Sequence, residues 1–187
     1  VERAGDVIPY IVKPVTSDGK KKTKKIEFPK NCPSCNSRLD RPKGESAWRC
    51  LNMNCSAQAI NRIIHFASKS AMNIKGLGKK TVERFYKNQI ITSIPDIYKI
   101  DYNKVQKLEG FGQQSIRNLK NNIEASKDRP VYSLIYAIGI QLVGESAARA
   151  LSNQIKCITD LKLKKKDELM ALPDIGEVVA ENIVKFF

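Results

Sequence analysis

Across residues 71–187, apolar side chains return at fixed offsets from four glycines, Gly78, Gly112, Gly144 and Gly176. The glycines are spaced by 34, 32 and 32 residues. Four positions before each stands an aliphatic residue: Ile74, Leu108, Ile140 or Leu172. One position before stands Leu77, Phe111, Val143 or Ile175. Four after stands Val82, Ile116, Ala148 or Ala180, and seven after stands Phe85, Leu119, Leu151 or Ile183. Offsets of four and seven share one helix face. Each unit therefore predicts a helix, a tight hairpin, and a second helix opening just past the glycine.

A longer period overlies this one. SIPDIYKIDYNKVQKLEGFG aligns without a gap to CITDLKLKKKDELMALPDIG, 64 residues later. Residues 71–127 and 133–187 thus read as duplicated halves. Repeats of this length also occur in helical solenoids, but those keep a stacking consensus rather than a glycine hairpin. Before the repeats, AQAINRIIHFA (57–67) places Ile60, Ile63, Ile64 and Ala67 on one helix face. His65, the single histidine, reads as a packing or surface residue of that helix. The opening VERAGDVIPYIVKPV alternates and predicts one or two strands with a turn at Gly5-Asp6, too little for an independent sheet. No apolar run approaches the ~18 residues of a membrane span, and no secretory segment is recognisable.

Charge changes the picture. Lys and Arg number 33 against 19 acids, a net +14. The excess is +4 over residues 1–31, +4 over 32–70 and +6 over 71–187. Such a spread favours a polyanionic partner, nucleic acid above all. An acidic membrane would call for a basic amphipathic helix, and none stands out. Lys20, Lys21, Lys22, Lys24 and Lys25 form a run that is either a solvated loop or a phosphate contact. The hairpins sharpen the case. IKGLGKK and LEGFGQQ set glycines before a helix N-terminus, where amides and dipole favour an anion. Lys79 and Lys80 add charge there. A glycine-capped αα-hairpin without ligand is the plainer reading of one copy; four copies in a basic chain favour nucleic-acid binding that grips phosphates without reading bases.

Four of the five cysteines lie within 32–58. Cys32 and Cys35 form C-x2-C, and Cys50 and Cys55 form C-x4-C, fourteen residues apart. Pro33, Ser34, Asn52 and Asn54 are turn formers. Two such knuckles make a closed S4 site for structural zinc, with no position left for catalytic water. Disulfides fit poorly with an intracellular setting. A redox C-x-x-C lacks its βαβ context, and the spacing matches neither ferredoxin pattern. Trp48 is placed to cover the cage. Cys157, alone among apolar neighbours, is expected to be a buried small hydrophobe.

Taken in order, these segments resemble the C-terminal half of bacterial NAD-dependent DNA ligases. The resemblance rests on GDVIPYI, the four-cysteine module ending CSAQ, IKGLGKKTVERFY, LEGFGQQSIRNLKNNIEASK, YAIGIQLVGESAARALS and LPDIGEVVAENIVKFF, and covers nearly the whole chain. It implies a mainly α fold of four helix-hairpin-helix motifs in two double units. Before them would come a four-cysteine zinc finger (32–70, with its linking helix) and the last strands of an OB-fold plus a Lys-rich linker (1–31). It implies zinc on Cys32, Cys35, Cys50 and Cys55. It also implies phosphate contacts at Gly76, Gly78, Lys79, Lys80, Gly110, Gly112, Gln113, Gly139, Val143, Gly144 and Gly176. The implied partners are nicked double-stranded DNA and the adenylation and OB domains of the same parent chain, in a cytoplasmic, nucleoid-associated bacterial monomer with no membrane partner. The parent would adenylylate a lysine from NAD with Mg2+, pass AMP to the nick 5′-phosphate and close the nick with the 3′-hydroxyl. NAD and Mg2+ would act in the half not present, since no K-x-D-G motif occurs here; this chain alone is expected to be inactive.

The departures lie in the third and fourth repeats. Leu142 stands where the first two have Gly76 and Gly110, and Gly139 reads as that glycine displaced. The fourth has Asp174, which disfavours a phosphate and suggests a structural hairpin packed on the third. Two other classes remain. A helix-hairpin-helix glycosylase or lyase would need a base-flipping pocket and a catalytic Asp or Lys, for which only Lys127 and Asp128 offer. A zinc-stabilised protein-interaction scaffold would show no salt-dependent DNA binding.

Overall fold

A computed structural model describes residues 2–4, 8–10, 12, 27–41 and 46–187. The Gly5-Asp6 turn and the lysine run at 20–25 lie outside the described residues. The chain divides into two units, Val1–Lys30 and Asn31–Phe187. In the first, β1 (Glu2–Ala4) pairs antiparallel with β2 (Ile8–Tyr10), register Glu2↔Tyr10, so the opening segment forms two strands.

The second unit begins with β3 (Leu39–Asp40) paired to β4 (Arg49–Cys50). The helices follow: α1 (Ser56–Ala67), α2 (Lys79–Lys87), α3 (Tyr102–Gln106) and α4 (Gln113–Ser126) in the first half. The second half holds α5 (Val131–Ala137), α6 (Glu145–Ser152), α7 (Lys166–Met170) and α8 (Glu177–Phe186). The 64-residue offset holds in three dimensions. A 3-10 turn at Ile94–Lys99 recurs at Ile158–Leu163, α3 recurs as α7, and α4 and α8 start 64 residues apart.

The apolar offsets build the cores. Val82, Phe85, Leu119, Ala148, Leu151, Ala180 and Ile183 are at most 2% exposed. One core joins α1 to α2, α3 and α4 through Ile63, Phe66, Ile74, Leu77, Phe85, Ile97, Val105 and Ile123. The other joins Ile135, Ile140, Ala148, Leu151, Leu161, Leu169 and Ile183. The second hairpin packs more loosely: Leu108, Phe111 and Ile116 are only partly buried. Tyr136 packs against both cores. His65 tethers the halves, its Nε2 lying 2.9 Å from the Tyr136 carbonyl and its ring 4.9 Å from the Tyr136 ring.

Cys157 is exposed, contrary to the expectation of a buried hydrophobe. Its apolar neighbours misled, because it aligns with Ser93 and opens the second 3-10 turn in the same capping box. The Thr159 hydroxyl and amide lower its thiol pKa. In the first box, Asp96 Oδ2 accepts from the Thr92 and Ser93 amides at 2.9 Å each and from the Thr92 hydroxyl at 2.8 Å. Those donors, the Thr92 amide foremost, hold its carboxyl at about 2. Asp96→Ala is expected to cost about 1–2 kcal/mol at neutral pH. A depressed native pKa stabilises fully above the unfolded value near 4 and is lost as pH falls through 2. The gap between parent and variant urea midpoints should therefore narrow by about half near pH 3; a gap that stays constant from pH 6 to 3 would refute this role.

Candidate metal centre and nucleic-acid interface

Each cysteine pair sits on a knuckle closed by its own backbone. The Cys32 amide donates to the Ser37 carbonyl and the Asn36 amide to the Cys32 carbonyl, both at 2.8 Å. Asn36 takes the left-handed conformation (φ 57°) that an Asn side chain tolerates. In the second knuckle the Cys55 amide donates to the Asn52 carbonyl and the Asn54 amide to Asn52 Oδ1. The knuckles are tied together by Asn52 Nδ2 donating to Ser37 Oγ at 3.0 Å. Gln58 of α1 reaches back to the Cys50 carbonyl at 2.7 Å. Trp48 is 40% exposed and so covers the cage incompletely.

The four Sγ atoms lie within 4.8 Å of one another, Cys32 to Cys55 at 3.9 Å and Cys35 to Cys50 at 3.5 Å. A tetrahedron with ~2.3 Å metal–sulfur bonds has edges of about 3.8 Å. Disulfide sulfurs would be about 2 Å apart, and no disulfide joins these cysteines. The spacing admits one ion and leaves no room for the bridging sulfides of a cluster. Without a cation the sulfurs compete. The Ser37 hydroxyl and amide pull Cys35 down to about 6. At Cys50 the Asn52 amide favours the anion, but burial and the neighbouring sulfurs outweigh it and push the thiol up to about 12. The Gln58 amide lowers Cys55 at the start of α1. A divalent ion removes that competition, and the amide and hydroxyl donors then support the thiolates. This is a closed structural zinc centre.

The four hairpins share one backbone path. A left-handed residue precedes each N-cap glycine by two: Gly76 (φ 97°), Gly110 (φ 81°), Leu142 (φ 64°) and Asp174 (φ 62°). The residue after it donates its amide to the carbonyl three back, as in Leu77 to Ile74 and Val143 to Ile140. Gly78, Gly112, Gly144 and Gly176 then cap the second helices with φ between −73° and −83°, and none uses a side-chain cap. Among the described residues, the amides of 79–81, 113–115, 145–147 and 177–179 have no acceptor in the chain. Neither backbone nor packing demands glycine at the caps. Their φ values suit any residue, and a Cβ at any of the four would meet nothing within 4 Å. What the missing Cβ leaves is open space beside free amides.

Two positions named from the sequence fall outside this arrangement. Gly139 (φ 72°) is not a displaced hairpin glycine: it ends α5 and gives its amide to the Tyr136 carbonyl. Val143 is buried in the second core, and its amide is spent on Ile140. Gly76, Gly78, Lys79, Lys80, Gly110, Gly112, Gln113, Gly144 and Gly176 all lie exposed at the hairpins.

The hairpins are not equivalent electrostatically. Lys79 and Lys80 open α2 and Gln113 and Gln114 open α4, whereas Glu145 opens α6 and Glu177 opens α8. Lys166 holds Glu177 and Glu181 at 2.9 and 2.8 Å. Asp174 accepts a hydrogen bond from the Ser146 hydroxyl, tying the fourth hairpin to α6. In each half an Asn from the last helix clamps the first hairpin: Asn122 donates to the Lys75 carbonyl at 3.0 Å, and Asn182 to the Gln141 carbonyl at 3.1 Å. Exposed Lys69 and Lys75 line an open groove that ends at Gly76 and Gly78.

Fold and site together define a four-cysteine zinc finger followed by tandem helix-hairpin-helix domains. Residues 31–57 match the NAD-dependent DNA ligase C4 zinc finger domain, 68–124 the SAM-like helix-hairpin-helix tandem and 133–187 the helix-hairpin-helix motif. The zinc finger is thus similar to that of NAD-dependent DNA ligases. The whole chain is similar to part of the DNA ligases of Sulfurihydrogenibium azorense (54% identical over 187 residues), Persephonella marina (54%) and Aquifex aeolicus (42%). All of this chain is covered in each case, against 27%, 26% and 26% of those relatives. The chain therefore spans about a quarter of their length.

Proposed function

We propose that this chain is the DNA-gripping portion of an NAD-dependent DNA ligase that seals nicks in the bacterial cytoplasm. The observation that carries the reading is the fourfold set of solvent-facing helix N-termini, each with free amides and an open space where a Cβ would stand. Phosphates approach such a surface closely, and the dipole favours their charge. Two pseudo-equivalent halves suit the two strands of a duplex, and grip of this kind is blind to sequence.

The first two hairpins carry most of the electrostatic attraction, through Lys69, Lys75, Lys79, Lys80 and, on α4, Arg117 and Lys120. Zinc supplies the crosslink that shapes residues 32–55. Residues 1–31 are assigned as the end of an OB-fold with its linker, 32–70 as the zinc finger with its helix, and 71–187 as the helix-hairpin-helix region. Adenylylation by NAD and Mg2+-assisted AMP transfer belong to the rest of the parent, which acts as a monomer; this portion holds the reactive ends in line.

The test is binding of this chain to nicked and intact duplexes of two unrelated sequences across a salt series. We expect affinity to fall steeply with salt, with a slope of about −0.9 per phosphate neutralised, and equally for both sequences. Absence of binding at low salt would rule the reading out and favour a protein scaffold. Cleavage of an abasic site by the chain alone would favour a glycosylase or lyase.

A further inference from the structure

Leu142 stands out from the other left-handed residues. Among the described residues, the non-glycine positions with positive φ are Asn36, Asn73, Gln89, Leu142 and Asp174. Asn and Asp tolerate this conformation through local hydrogen bonding, and Asp174 takes the Ser146 hydroxyl. Gln89 ends α2 at the turn where its amide meets the Tyr86 carbonyl. Leu142 alone is apolar. It occupies the place held by glycine in the first and second hairpins, so the strain is not intrinsic to the motif. Nor does the core offset it: Leu142 is 61% exposed, while its neighbours Ile140 and Val143 are buried. Strain at an exposed position, with no core contact among the described residues to offset it, is of the kind that clusters at ligand-contacting sites.

We infer that Leu142 packs against deoxyribose in bound duplex DNA, giving the third hairpin an apolar hold that the lysine-flanked first hairpin does not use. The inference rests on the DNA-binding reading above. Leu142 shares its hairpin tip with the free amides that follow Gly144. Every phosphate is flanked by sugars that present C–H faces, so an apolar side chain beside a phosphate-binding amide meets a sugar. The charge pattern agrees. This hairpin opens its helix with Glu145 and offers no lysine at Gln141 or Ser146, so it attracts phosphate less strongly and gains more from a contact without charge.

The experiment uses the 187-residue chain with Leu142→Gly, Leu142→Asn and Leu142→Met, measuring melting temperature and affinity for a nicked duplex across the same salt series. Glycine and asparagine relieve the left-handed strain, so both variants should melt at or above the parent. Both should bind about tenfold more weakly, the loss expected for half-burying a leucine side chain. Their lines of log affinity against log salt should run parallel to the parent, because no phosphate contact is lost. Leu142→Met should stay within about threefold of the parent, since it keeps the apolar surface. Parental affinity in Leu142→Gly and Leu142→Asn would overturn the inference, as would a slope shallower by about one unit or a clear drop in melting temperature. A parent chain that fails to bind the duplex would instead defeat the underlying DNA reading.

Discussion

Stripping zinc from this chain is expected to unfold residues 31–55 and to release the first turn of α1, the largest single loss of stability available here. Structural zinc contributes roughly 10–16 kcal/mol in small modules. The described part of the module has little else: two two-residue strands and few buried side chains beyond Cys32 and Cys55. Loss should stop partway along α1. Cys55 is the N-cap of that helix, but Ile63, Phe66 and Ala67 at its other end belong to the first core. Hydrogen exchange after chelation should thus show protection lost before about residue 58 and kept from Ile63 onward. Cys55→Ser separates the two roles of that residue, because serine caps a helix well but does not replace the thiolate in the S4 set. It should lose the module while α1 keeps its start. Zinc binding should also release protons, that of Cys50 in full, since its metal-free thiol lies near 12, whereas Cys35, near 6, is already largely ionised at neutral pH. Titration calorimetry in buffers of different ionisation heat measures that release. Protection that persists across 31–55 after complete removal of the ion would show that the knuckles hold without it.

The zinc ligands and the four repeats were legible because each signal is local and periodic. Cysteine spacing fixes a knuckle whatever surrounds it, and the offsets of four and seven residues fix a helix face. The positions Phe85, Leu119, Leu151 and Ile183 therefore reached the cores as the pattern required. Misreadings came where two residue types share one backbone conformation in different roles. Gly139 and Leu142 both have positive φ, one ending a helix and the other turning a hairpin. A sequence search that assigns left-handed turns to glycine chooses the wrong one of the pair. Cys157 was misjudged because the apolar residues beside it face the core while it faces outward as a cap, a distinction set by the start of a 3-10 turn rather than by periodicity. The tether between His65 and the Tyr136 carbonyl joins residues 71 positions apart and leaves no trace in either local pattern.

Placing aspartate at the caps of the first two hairpins is expected to raise stability and abolish DNA binding together. Aspartate is among the best N-cap residues. In Gly78→Asp and Gly112→Asp its carboxylate would accept hydrogen bonds from amides that have no acceptor in the chain, and its charge would complement the dipole. The added side chain meets open space at both positions. Each change should therefore stabilise the fold by about 0.5–1 kcal/mol. The same carboxylate occupies the anion position and repels a phosphate. With each charge-assisted contact worth about 1.5–3 kcal/mol, the double variant should bind a nicked duplex about a thousandfold more weakly at moderate salt. Gly78→Ala with Gly112→Ala gives the steric part alone, because a methyl group crowds the phosphate without replacing it, and its loss should be intermediate. Equivalent aspartates at Gly144 and Gly176 should cost less, because Glu145 and Glu177 already place acids at those helix starts. Full affinity in the double aspartate variant would place the DNA contact elsewhere on the molecule. A lowered melting temperature alongside weak binding would mean that the glycines serve the fold after all.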